Sequence, residues 1–163
     1  MKGEHRGKQR EEHEEEGDTY EKMKWMAWNI NGWKGDQNDK DEEYNYRKIK
    51  RIRGEAEKYD GFILTETHLN DDEEKNEIEK FEKHFKDYYV YHVHAREKAG
   101  KRLGVTIGIK RNRIEEKDIK IEREEEGEKG RWINMTMKGV LEEDLHVCGV
   151  YAPAGTAAKK NVD

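Results

Sequence analysis

Short apolar runs, each the length of a single strand, hold most of the apolar residues of this 163-residue chain and restrict what it can fold into. The runs are rich in β-branched or aromatic residues and are separated by glycine or by clusters of charge, which is typical of strands. They lie at 24–30, 62–65, 88–93, 105–109, 119–121, 132–137 and 145–151. None approaches the length of a membrane span. The sequence therefore predicts a fold built on β-sheet.

Two further segments have the three-and-four spacing of an amphipathic helix. The first runs from about 46 to 59, and a row of basic residues covers its polar side: Arg47, Lys48, Lys50, Arg51 and Arg53. The second runs from about 73 to 85, with Asp71 or Asp72 as its N-cap. Its inward stripe consists of Ile78, Phe81 and Phe85. The order of these elements predicts an α+β chain with a mixed, largely antiparallel sheet and both helices on one face.

Composition limits the core and the breadth of any charged surface. Apolar residues make up 32% of the chain and charged residues 44%, so the core must be lean. The net charge of −5 argues against a protein whose whole surface binds nucleic acid, but it is compatible with a local basic groove. Positions 1–20 are almost wholly charged or polar, which predicts a disordered tail before one folded unit at 21–163.

The cysteine content and the N-terminus bear on the cellular compartment. Cys148 is the single cysteine, and its apolar neighbours predict a buried small residue rather than a reactive thiol. The N-terminal residues contain neither a secretory signal nor a mitochondrial presequence. We therefore expect an intracellular protein, in the nucleus or the cytoplasm, with no membrane partner.

Two polar side chains follow the first two predicted strands. Asn29 ends the first strand, and Glu66 follows the buried run 62–65. If these strands are neighbours, an amide and a carboxylate meet at one sheet edge, and such a pair suits a hard cation such as Mg²⁺. Position alone also allows a solvated strand-end acid at Glu66. For Asn29 it favours a simple turn, because Asn31-Gly32 follows.

The histidines give weaker signals. His92 and His94 alternate on one strand, but no cysteine or third ligand stands near them, so a zinc site is not predicted. His68 follows Glu66 by two residues, a position typical of a hydrogen-bonded loop histidine. The phosphate-loop, dinucleotide-binding and nucleophile-elbow motifs are all absent.

Four segments, in order, resemble the endonuclease/exonuclease/phosphatase superfamily, which includes deoxyribonuclease-I-like enzymes, AP endonucleases and the endonuclease domains of non-LTR retrotransposons. They lie at 28–33, 64–69, 104–109 and 150–153. The retrotransposon type is the most similar, through the strings Asn-Ile-Asn-Gly, Glu-Thr-His-Leu and Tyr-Ala-Pro. The resemblance extends from about residue 23 to residue 155.

This resemblance implies a fold and a chemistry. The fold would be about one half of a four-layer α/β/β/α sandwich, and the activity a Mg²⁺- or Mn²⁺-dependent phosphodiesterase acting on DNA when complete. Glu66 would be the principal metal ligand, and Asn29 would help to organise the metal and the phosphate. Tyr151 would contact the scissile phosphate or steady a neighbouring catalytic group.

The chain also departs from the superfamily pattern. Ala154 stands where an asparagine is usual, and the chain ends before the Asp-x-Asn and Ser-Asp-His segments of the family. These departures predict a partial domain, truncated at its C-terminus, that is inactive or weakly active. With only one sheet, its inner face would be uncovered and open to self-association. The alternatives are a non-catalytic relic that binds partners or itself, and a relative of phospholipid or inositol phosphate phosphatases.

Overall fold

The computed structural model describes residues 22–34, 42–69, 76–94, 103–124, 130–139 and 143–152. The predicted tail at 1–20 and Ala154 lie outside these ranges. The described elements, in chain order, are β1 (Trp25–Asn29), α1 (Glu42–Ala56), β2 (Gly61–Thr65), α2 (Glu77–Glu82), β3 (Tyr88–Val93), β4 (Val105–Lys110), a 3₁₀ turn (Glu116–Asp118), β5 (Ile119–Arg123), β6 (Trp132–Met137) and β7 (Leu145–Val150). No helix in these ranges is long and apolar enough to span a bilayer.

The first sheet contains four strands in the order β1-β2-β4-β3. The β1 and β2 strands are parallel, with Asn29 opposite Thr65, because α1 carries the chain back to the start of the sheet between them. The other pairs, β2 with β4 and β4 with β3, are antiparallel. The predicted α+β class with a mixed, largely antiparallel sheet is confirmed.

Both helices pack on one face of this first sheet, as predicted. From α1, the buried residues Ile49, Ile52 and Ala56 follow the three-and-four spacing of the sequence. From α2 and the turn after it, Phe81 and Phe85 are buried and stack at a centroid distance of 4.8 Å. Burial of these aromatic rings stabilises this side of the core.

The helix boundaries differ from those predicted. The α1 helix begins at Glu42 and ends at Ala56, earlier at both ends than the pattern at 46–59 indicated. The α2 helix covers only Glu77–Glu82, and Asn76 before it has a left-handed φ of 45°. Asp71 and Asp72, the predicted N-caps, lie outside the described residues. A turn, rather than more helix, follows Glu82. Phe85, just after this turn, is buried as predicted.

A second sheet, with the order β5-β6-β7, covers the opposite face of the first. Its inward residues on β6 are completely buried against the inward residues of β4, and together they form one cluster: Ile133, Met135, Met137, Val105, Ile107 and Ile109. The sheets approach closely at Gly149, where a Cβ atom would lie 2.8 Å from Val105 Cγ1 and 2.9 Å from Ile63 Cγ2. The expectation of one sheet with an uncovered inner face is therefore wrong.

The exposure of Cys148 follows from the same arrangement. Its neighbours Val147 and Gly149 face the first sheet, so the two-residue period of the strand turns Cys148 outward, beside Asn134 on β6. The prediction that apolar neighbours would bury this thiol was wrong, because residues adjacent in a strand point to opposite faces.

Candidate functional site

Parallel pairing of β1 and β2 brings Asn29 and Glu66 into contact. The Asn29 Nδ2 atom donates a hydrogen bond to Glu66 Oε1 at 3.0 Å, and Asn29 Oδ1 accepts one from the backbone N–H of Asn31 at 3.1 Å. These contacts fix the orientation of the amide, since a backbone N–H can only donate and a carboxylate can only accept. Asn29 therefore holds the Glu66 carboxylate through its nitrogen while its oxygen closes the turn.

Backbone hydrogen bonds join the loops that follow the two strands. The loop after β1 donates to the segment after β2, and that segment in turn donates to the residues before β4. The bonds are Ile30 N to Thr65 O, Gly32 N to Glu66 O, Trp33 N to Thr67 O, Thr67 N to Gly104 O, and His68 N to Leu103 O, at 2.6 to 3.3 Å. Glu66 thus sits on backbone that is hydrogen-bonded on both sides.

The same loops hold most of the left-handed backbone of the described residues. Only four non-glycine residues in those ranges have positive φ, and three of them lie here: Asn31, Glu66 and His68, at 47°, 53° and 55°. Such conformations cost free energy and cluster at sites where function requires a particular backbone shape. Gly32 has a φ of 81°, and a Cβ atom there would lie 2.8 Å from His68 Nδ1. Any other residue at this position would carry the strain of that φ and would also meet the His68 ring.

Lys48 links α1 to this site. Its Nζ donates to the backbone oxygens of Asn31 and Lys34, at 3.1 and 3.3 Å. Burial lowers the pKa of this ammonium from its usual value. Sequence reasoning placed Lys48 in the basic row of α1 but did not predict this contact, because the path of the loop after β1 cannot be read from residue spacing.

Tyr151 lies on the second sheet, at the same end of the molecule. It directly follows β7, is half-buried, and packs against the core between the sheets. Its backbone N–H donates to Arg131 O at 2.7 Å. A Cβ atom at Gly149, two residues earlier on the same face, would lie 2.8 Å from Val105 Cγ1, and Val105 pairs with Thr65 at the end of β2. The three predicted residues therefore share one end of the sandwich, with Asn29 and Glu66 in direct contact.

The histidines are placed differently. His92 is buried and uses both ring nitrogens, with Nδ1 2.8 Å from Thr106 Oγ1 and Nε2 3.2 Å from Glu82 Oε1. This network connects β3, β4 and α2. Within the described ranges, no three His, Cys, Asp or Glu side chains come together in one group.

Comparison with known proteins identifies a structural neighbour. The chain matches no protein-family model, and no curated protein is significantly similar to it in sequence. Among solved structures it is similar to an AP endonuclease from Leishmania major, with a TM-score of 0.56 over 79% of this chain and 19% sequence identity. The two proteins therefore share a fold over most of the present chain. The match covers 40% of the Leishmania chain, so the present chain spans less than half the length of that AP endonuclease.

The likeness shows a shared fold, and the superfamily resemblance itself rests on the four sequence segments. The likeness does not distinguish the retrotransposon type from the other members, and at 19% identity it carries no residue roles across. The roles predicted for Asn29, Glu66 and Tyr151 remain predictions.

Proposed function

We propose that this chain carries the metal-binding part of an active site that hydrolyses phosphodiester bonds in nucleic acid. The observation that supports this most is the Asn29–Glu66 contact, which stands at the ends of two adjacent parallel strands on a nuclease-like fold. Ligand sites of sheets that contain parallel strands commonly lie at those carboxyl ends. The left-handed backbone at Glu66 is a second reason to assign function here.

The residues present fit a hard divalent cation. Mg²⁺ takes oxygen ligands, keeps several waters, and is commonly held by one or two carboxylates together with phosphate oxygens of the substrate. Glu66, only half-buried, would supply the carboxylate, and Mn²⁺ accepts the same ligands. A bound ion would polarise the phosphate and lower the pKa of a bound water.

The neighbouring side chains have supporting roles in this proposal. Asn29 positions Glu66 through Nδ2 and stands close enough to help organise the metal and the phosphate. Lys48 holds the loop after β1 against α1. Tyr151, at the same end of the second sheet, would contact the scissile phosphate or steady a neighbouring catalytic group. The strings shared with retrotransposon endonucleases lead us to propose that type, with DNA as substrate.

Hydrolysis needs more than this half-site. A group that orients or deprotonates water and a group that stabilises the developing charge each contribute orders of magnitude to such reactions. We therefore assign the full activity to a domain that contains those groups as well, and expect metal binding together with weak or absent cleavage from these 163 residues alone.

The test combines metal binding with plasmid nicking. Mn²⁺ binding, followed by electron paramagnetic resonance, should weaken about tenfold or more in Glu66→Gln, because the charged ligand is replaced by an isosteric neutral one. Glu143→Gln, at an exposed position on another part of the surface, should bind as the wild type does. Supercoiled plasmid with Mg²⁺, with and without EDTA, measures cleavage by the same proteins. Equal Mn²⁺ affinity in all three proteins would refute the proposed site.

A further inference from the structure

The outward side of α1 is strongly basic. Between 46 and 53 the helix contains five basic residues and no acid, although the whole chain has a net charge of −5. Arg47, Lys50, Arg51 and Arg53 are exposed, and Lys48 is half-buried. A local surface of sign opposite to the whole molecule attracts an anionic partner.

Two of these cations are held over aromatic rings rather than by carboxylates. Lys50 Nζ lies 4.7 Å from the centroid of the Tyr46 ring, and the Arg51 guanidinium lies 5.7 Å from that of Trp28. No carboxylate of the described residues forms an ion pair with either cation, whereas Arg53 contacts Glu57 at 2.9 Å. Lys50 and Arg51 are both exposed, so each can reach a phosphate, and cations next to aromatic rings are typical of surfaces that follow a nucleic-acid backbone.

This surface adjoins the candidate site. Trp28, under Arg51, lies on the helix-covered face of β1, and Lys48 on the same helix donates to the backbone of Asn31 in the loop that follows Asn29. The α1 helix packs on one face of the first sheet, and its contact with Asn31 places it beside the loop after β1. A nucleic-acid backbone that is bound at Glu66 and crosses this loop reaches the basic side of α1.

The helix is suited to nucleic acid rather than to a lipid surface. Its apolar residues Ile49, Ile52 and Ala56 are buried in the core, with at most 2% of their surface exposed. An interfacial helix needs a free apolar face to enter the headgroup region, and between 46 and 56, where its side chains are described, α1 has none left. What α1 offers outward is charge and the half-exposed ring of Tyr46.

We infer that Tyr46, Lys50, Arg51 and Trp28 form a contact surface for the phosphate backbone of nucleic acid that extends outward from the Asn29–Glu66 site. The inference rests on the proposed function, which gives nucleic acid as the class of substrate. It adds the surface along which that substrate lies. Lys50 and Arg51 each neutralise one phosphate. Because these contacts are to the backbone, binding is independent of base sequence.

The test is the salt dependence of binding. A fluorescent DNA duplex is titrated with protein at several NaCl concentrations, and anisotropy gives the affinity at each. Loss of two phosphate contacts in Lys50→Gln/Arg51→Gln should reduce the slope of log affinity against log salt by about 1.8. The matched control is Lys80→Gln/Lys83→Gln, which removes the same charge from exposed positions on α2 and at its C-cap and should leave the slope unchanged. A duplex of permuted sequence should bind equally well.

Three outcomes would overturn the inference. One is an unchanged slope in the α1 variant, confirmed as folded by its thermal unfolding. Another is an equal loss in the α2 control, and the last is equally tight, α1-dependent binding to vesicles of anionic lipid. Lys50→Arg/Arg51→Lys keeps both charges and should retain the wild-type slope. Glu66→Gln separates the two proposals, because it should lose Mn²⁺ affinity and keep the salt slope; failure of the metal site alone would leave this surface standing.

Discussion

At the scale of single residues, a substitution that breaks the Asn29–Glu66 hydrogen bond tests whether Asn29 positions the carboxylate. Asn29→Asp replaces the donor at 3.0 Å by a second carboxylate, and two like charges at that distance repel. A divalent cation relieves this repulsion, so we expect Asn29→Asp to melt below the wild type without metal. Added Mn²⁺ should then stabilise it more than the wild type. Thermal unfolding with and without Mn²⁺ measures both effects, and equal metal-induced shifts in the two proteins would contradict the prediction.

Gly32 allows a second experiment on single residues. At this position the cost of left-handed backbone can be measured separately from the cost of a steric clash with a neighbouring side chain. Gly32→Ala places a Cβ atom 2.8 Å from His68 Nδ1 at a φ of 81°, whereas Gly139 has a φ of 67° and nothing within 4 Å of the corresponding position. Both substitutions carry the cost of left-handed backbone, roughly 1 kcal/mol or more. Only Gly32→Ala adds the clash. Urea unfolding should therefore show a larger loss for Gly32→Ala, and equal losses would mean that the His68 ring moves aside freely.

The sequence predicted the part of this site that depends on where the strands end. That Asn29 and Glu66 converge followed from two apolar runs ending in polar residues, and it needed only that the strands be neighbours. The contacts of Gly32 with His68 and of Lys48 with Asn31 were not predictable in this way. They depend on the φ angles of three left-handed residues, and no periodic pattern records those angles.

At the scale of elements, Tyr88 joins β3 to α1. Its hydroxyl donates to Ala56 O at 3.0 Å, and burial raises the pKa of this phenol to about 12. Between pH 10 and 12 the folded chain therefore keeps a proton that the unfolded chain loses, so stability falls as the pH rises through that window. Tyr88→Phe lacks this contribution and loses the hydrogen bond, which costs about 1 kcal/mol.

The stability difference between wild type and Tyr88→Phe should consequently be largest near neutral pH and should shrink toward pH 12. Urea unfolding of both proteins across this range is the measurement. Burial also raises the pKa of Tyr91. Because Tyr91 is present in both proteins, its contribution to the pH dependence cancels in the comparison. A difference that is constant with pH would show that Tyr88 ionises as it does in the unfolded chain.

Strand positions were predictable at this scale and their partners were not. Tyr88–Val93 and Trp132–Met137 were located to the residue, because β-branched and aromatic runs bounded by turns are a local signal. Alternation also shows that Ile133 and Met135 share a buried face. It does not show which strand or sheet they face, and so the same pattern was compatible with one sheet or with two.

At the scale of the whole molecule, the first sheet has a core on each face. The helices cover one face and the second sheet covers the other. This arrangement removes the reason for expecting self-association through an uncovered inner face. It also connects the two cores, because neighbouring residues of β2, such as Phe62 and Ile63, contribute to opposite faces.

A chain with two cores on one sheet should unfold as one unit. Met135→Ala removes fully buried atoms between the sheets, and Phe81→Ala removes them beneath the helices, so each should cost about 2–5 kcal/mol. Since both cores include β2, weakening either should lower the same transition, and far-ultraviolet circular dichroism and tryptophan fluorescence should report coincident midpoints. If Met135→Ala instead produced an earlier transition that left the helical signal intact, the second sheet would be a separately unfolding unit. The end of the sandwich that holds Glu66 and Tyr151 could then come apart without global unfolding.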